Sequence, residues 1–162
     1  MVAVVFVLFA VAMIVGPLML MRPSASQARI ASLRTEAQKT GMRVRLDHNP
    51  FARENSTLAV YSLPKKDENE KLPIFSLFRK PYAHEINFCG EWDWFKQEGF
   101  GKSRLAALEN YLLTLDTDIV GVESTKLGVS LYWRERLKSD TTENAVQKIY
   151  HKLRALKEIL QS

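Results

Sequence analysis

A single cysteine, Cys89, three histidines and seven glycines leave little room for several kinds of chemistry. One thiol excludes an internal disulfide framework and fits a reducing compartment. The glycines form neither G-x-G-x-x-G nor G-x-x-x-x-G-K-S/T, the spacings that let backbone N–H groups close on a phosphate. Gly99-Phe100-Gly101-Lys102-Ser103 ends in G-K-S, but Lys96 stands where the opening glycine belongs and Phe100 would crowd an anion. Ser103 reads instead as a helix cap.

Metal ligands are equally thin. His84, Glu85, Cys89 and Glu91 are close in sequence, yet strand alternation puts His84 on one face and the other three on the opposite one. One thiol with two carboxylates is a poor zinc set. An activated cysteine needs a base and an electropositive setting, and the expected face of Cys89 is acidic. No cofactor, metal or catalytic residue is assigned, and the chain reads as a non-enzyme.

What the chain does have is an apolar start. Val2 to Met21 carry no charge, and Arg22 closes the run. Twenty helical residues span roughly 30 Å, the thickness of a hydrocarbon core. A secretory signal needs a basic leader and a shorter apolar stretch, so the expectation is a single-pass transmembrane anchor over 1–22. Gly16-Pro17 is a place for a kink.

The charge distribution points the same way. Residues 22–46 hold Arg22, Arg29, Arg34, Lys39, Arg43 and Arg45 against Glu36 alone. From totals of 23 basic and 18 acidic residues, that leaves 17 of each over 47–162. The whole net charge of +5 therefore sits beside the apolar run, which argues against nucleic-acid binding. Basic flanks resist translocation, so the expected topology is N-terminus outside, body cytoplasmic, at the inner membrane. Arg22, Arg29, Arg34 and Lys39 become candidate contacts to an anionic lipid surface.

Beyond a basic linker helix over 23–41, residues 42–162 read as one α+β domain. Period-two alternation predicts strands at Met42–Leu46, Thr57–Leu63, Ile74–Phe78 and Tyr82–Trp94, with Asp118–Glu123 and Leu127–Glu135 later. In the last of these, Leu127, Val129, Leu131 and Trp133 share a face. Lys65 to Lys71, wholly polar, reads as a solvated, mobile hairpin tip. Gly90 interrupts the fourth strand, as at a bulge. Helices are expected from Ser103 to Leu115 and over a last segment opened by an Asp140/Glu143 capping box. The expected architecture is a membrane helix followed by a small, mostly antiparallel sheet with two amphipathic helices on one face.

The aromatics divide by pattern. Trp92, Trp94 and Trp133 fall on apolar faces and belong to a core. Phe95 and Phe100 lie outside strict alternation. Trp94, Phe95 and Phe100 are the candidate partner contacts. The function expected is a membrane-anchored, non-catalytic accessory protein presenting its domain to an integral membrane protein complex. The alternative is a tethered enzyme using carboxylates such as Glu85, Glu91 and Asp93 with His48 or His151 on a small or lipid-derived substrate.

Overall fold

A computed structural model describes residues 2–20, 24–48, 57–67, 69–80, 88–98, 102–137 and 140–161. The chain divides into two units, Met1–Ser32 and Leu33–Ser162. The elements are α1 (Val2–Leu20), α2 (Ala25–Lys39), β1 (Arg43–His48), β2 (Thr57–Pro64), β3 (Ile74–Arg79), β4 (Trp92–Glu98), α3 (Lys102–Leu113), β5 (Ile119–Thr125), β6 (Gly128–Trp133) and α4 (Thr142–Gln161).

The first unit corrects the membrane reading. Among the described residues no helix is long and apolar enough to cross a membrane. A span needs about 20 consecutive apolar residues. The single-pass anchor, its N-outside orientation and the inner-membrane localisation are all withdrawn on this ground. Arg22 lies outside the described residues.

Helix α2 begins where Ser24 and Gln27 cap one another. The Gln27 N–H donates to Ser24 Oγ (3.2 Å) and the Ser24 N–H to Gln27 Oε1 (3.0 Å), a reciprocal capping box. It ends at Gly41, whose φ of +83° lets the Gly41 N–H reach the Gln38 carbonyl and the Met42 N–H the Ala37 carbonyl. A residue without Cβ takes that left-handed position at little cost.

The second unit is α+β, built on a six-strand sheet in the order β1-β2-β6-β5-β3-β4. Every neighbouring pair is antiparallel. The central hairpin β5–β6 comes late in the chain and enters between β2 and β3. The segment between those two strands is therefore a crossover, not the expected hairpin tip. It is also tethered: the Lys65 N–H donates to the Leu127 carbonyl. Glu70, its side chain 9% exposed, pairs with Lys157 of α4 at 2.9 Å. Lys157 Nζ donates in addition to the Pro64 carbonyl (3.1 Å).

Side-chain alternation sorts the sheet into two faces. Ala59, Tyr61, Phe75, Leu77, Trp92, Val122, Val129, Leu131 and Trp133 join one core with Leu33 and Ala37 of α2, Leu108 and Leu112 of α3, and the apolar side of α4. Three helices thus contribute to this core, one more than the two expected. Leu127, grouped with that face by its spacing, lies at the β5–β6 turn and is 73% exposed.

Two local expectations shift. Gly90 sits in a tight turn, with Cys89 and Trp92 exchanging both backbone hydrogen bonds, and the fourth strand starts only at Trp92; Tyr82–Asn87 lie outside the described residues. Helix α4 is capped by Thr141 Oγ1, which accepts from the Asn144 N–H (3.3 Å). Asp140, expected as the cap, holds Lys148 at 2.8 Å instead.

Candidate binding face

The face of the sheet turned away from the helices carries a different chemistry. The pairing registers align Arg43, Ser62, Ser130, Glu123, Ser76 and Lys96 in one row across all six strands. The next row runs Arg45, Val60, Tyr132, Gly121, Phe78 and Asp93. One polar row thus lies beside a row whose middle is aromatic. Leu58, Val60, Phe78, Val120 and Tyr132 form a second, smaller apolar cluster on this face.

Gly121 makes the aromatic row possible. A Cβ there would stand 2.6 Å from Phe78 and 2.9 Å from Tyr132. Without it the two rings lean over the glycine and meet edge-to-face, centroids 4.8 Å apart. Arg45 caps the row, its guanidinium 5.9 Å from the centre of the Tyr132 ring. It also pairs with Asp47 (2.7 Å) and Glu123 (2.8 Å). Burial, then the charge of Glu123, raises the Tyr132 phenol well above its ordinary range.

At the β4 end the sheet is irregular. Ser76 pairs with Lys96 and Leu77 with Trp94, so Phe95 is the extra, unpaired residue of a bulge. Bulges at sheet edges redirect a side chain. Here Phe95 is 58% exposed, resting edge-on against Phe78 at 5.9 Å. Trp94 points to the other face, half-buried against Phe75 and Phe88. Phe100 lies outside the described residues. Of the three aromatics singled out from sequence, Phe95 alone is placed on exposed surface.

At the β1 end lies a groove of about 600 Å³ between Arg43, Ser62, Ser130, Glu123 and Leu127. Ser62 Oγ and Ser130 Oγ are hydrogen-bonded to each other at 2.8 Å across β2 and β6. No sequence pattern marks these serines. They meet only through the strand register.

A smaller cavity of about 260 Å³ lies between the ends of β5 and β6 and the start of α4, with Trp133 in its wall. Its charges match one to one: Arg136 with Asp118 (3.8 Å), Lys148 with Asp140 (2.8 Å) and Lys152 with Asp116 (3.3 Å). Above the same wall, Tyr61 packs edge-on against Trp133 at 5.4 Å. Its hydroxyl donates to Glu135 Oε1 at 2.7 Å. Arg34 closes on the same carboxylate through two hydrogen bonds, and that bonding raises the guanidinium pKa.

The remaining candidates from sequence fall in separate places. Arg29 is exposed on α2, and Lys39 pairs with Glu36 one turn back at 2.8 Å. Glu91 pairs with Arg79 at 2.9 Å, and Asp93 with Lys80, so both carboxylates tie β4 to β3. Glu85 lies outside the described residues. His48 ends β1 and His151 lies on α4, not beside those carboxylates. Cys89 is buried; burial and the neighbouring Glu109 raise its thiol pKa, a setting that suppresses nucleophilic thiolate. Among the described residues no group of His, Cys, Asp and Glu is arranged to hold a metal ion. Comparison with protein-family models, curated proteins and solved structures finds no match to this chain.

Proposed function

We propose that the Leu33–Ser162 unit is a non-catalytic interaction module that receives another protein at the β4 edge of its open sheet face. The observation that carries this reading is the bulge that turns Phe95 outward. A large aromatic set on a rigid strand presents apolar area at a low entropic cost, the property that makes aromatics interface anchors. Phe78 supports the ring from below, and the Glu91–Arg79 and Asp93–Lys80 pairs hold the strand beneath it.

The edge itself is protected against simple strand addition. A bulge and charged side chains both oppose edge-to-edge pairing, and β4 has the bulge together with Asp93 and Lys96. Recognition therefore runs through side chains and not through a shared backbone ladder. The hydroxyls of Ser62 and Ser130 bond to one another, and among the described residues neither has the paired base that activates a nucleophilic serine.

The test is co-purification of the full chain from its native host with Phe95→Asp beside the unaltered protein. The reading expects a recurrent protein companion that is lost in the variant while the melting temperature is unchanged. A companion retained at equal yield by Phe95→Asp contradicts it.

A further inference from the structure

The groove at the β1 end of the open face is independent of Phe95 and carries its own chemistry. Its volume, about 600 Å³, falls within the range of pockets that enclose small organic ligands. Two arginines border it, and they differ. Arg45 is committed to Asp47 and Glu123. Arg43 is exposed, and among the described residues its side chain has no hydrogen-bond or ion-pair partner.

The floor adds one more donor. The hydroxyls of Ser62 and Ser130 carry two hydrogens between them, and their mutual bond uses one. The other takes no part in that bond. Thr125 Oγ1 is occupied, accepting from the Leu127 N–H and lying against the Gly128 carbonyl. Glu123, the acidic group of the lining, is paired with Arg45, which it shares with Asp47. The groove thus offers a guanidinium fork beside a hydroxyl pair that keeps one hydrogen. Leu127, exposed at the β5–β6 turn, supplies apolar wall.

We infer that this groove binds a small organic monocarboxylate, its carboxylate on the Arg43 guanidinium and the Ser62–Ser130 hydroxyl pair and its apolar body along Leu127. A planar carboxylate accepts two parallel N–H bonds from one guanidinium, which matches a single free arginine. A dianion would also lie near Glu123.

The test is a titration of the full chain with 4-phenylbutyrate, followed through backbone amide chemical shifts, with 4-phenyl-1-butanol and phenyl phosphate as companions. The expected result is saturable shifts at Arg43, Ser62 and Ser130 with 4-phenylbutyrate, at least tenfold weaker with either companion. Arg43→Met should weaken the carboxylate at least tenfold and leave the remaining spectrum unchanged, while Arg43→Lys retains part of the affinity. Absence of saturable shifts at these residues overturns the inference. So does equal affinity for the alcohol or the phosphate, or undiminished affinity in Arg43→Met.

Discussion

Arg34 on α2 and Glu135 just beyond β6 form a two-pronged ion pair, with hydrogen bonds of 2.8 and 2.6 Å between side chains 32% and 8% exposed. The two residues are 101 positions apart, and Tyr61 of β2 donates to the same carboxylate. Glu135 has a φ of +53°, a left-handed backbone that residues other than glycine adopt at a cost of about 1 kcal/mol or more. The packing of Arg34 and Tyr61 around the carboxylate holds it there. Arg34→Ala leaves this carboxylate without its cation; hydrogen bonds to charged groups are worth about 1.5–3 kcal/mol. Urea unfolding of Arg34→Ala should show a loss of that size. Tyr61→Phe should lose about 1 kcal/mol, and no change in either variant would mean the pair is incidental.

Gly121 leaves no room for a side chain beneath the Phe78–Tyr132 pair. Overfilling a packed site costs about 1–3 kcal/mol, and a methyl group here meets both Phe78 and Tyr132. Gly121→Ala should lower the midpoint of thermal unfolding. It should also disturb the near-ultraviolet circular dichroism through the Tyr132 ring. Gly121→Ala combined with Phe78→Leu should recover part of the loss, because the shorter side chain vacates the contested space.

The strands were legible where alternation was clean. Val129, Leu131 and Trp133 share the buried face their spacing predicts, and α4 shows its one-sided character in the recurrence of Val146, Ile149, Leu153, Leu156 and Leu160. Contacts that depend on which strands become neighbours left no trace in the sequence. Ser62, Ser76 and Ser130 have no period of their own and line up only once β5–β6 enters between β2 and β3. The polar segment after β2 reads as solvated because its letters are charged, yet Glu70 is held by Lys157. Phe95 was legible as an exception to alternation, and a bulge is the physical form of that exception. The apolar run at the start misled most. Hydropathy counts letters, whereas no described helix has both the length and the apolarity of a membrane span.

Glu70 also makes the crossover sensitive to acid. Burial by itself favours the protonated carboxyl, but hydrogen bonds from Lys157, the Lys66 N–H and Gln161, with the Lys157 charge, outweigh it and bring the pKa below its ordinary 4.5. A carboxylate with a lowered folded pKa contributes stability above its unfolded pKa and loses it as pH falls through the folded value. The stability difference between the unaltered chain and Glu70→Gln should therefore be present at pH 6 and shrink progressively below about pH 4.5. Hydrogen exchange at the Lys66 amide should quicken over the same interval. A difference that stays constant down to pH 3 would contradict the assignment.

Cys89 should behave as an inert thiol. Its sulfur lies against the Glu109 carbonyl at 4.0 Å, and its pKa is raised by burial and by Glu109. Iodoacetamide at pH 8 should label it at least tenfold more slowly in the folded chain than in urea. Equal rates would show an accessible thiolate.

The central claim is that the β4 edge of the open face is where a partner docks, and a benzophenone photo-crosslinker placed at the Phe95 position tests it most directly. The control carries the same group at the Leu113 position on α3, also exposed at 66%. Irradiation in the native host is expected to give one discrete protein adduct from the Phe95 position and none of that mass from the Leu113 position. No adduct at the Phe95 position, or the same set of adducts from both positions, would contradict the account.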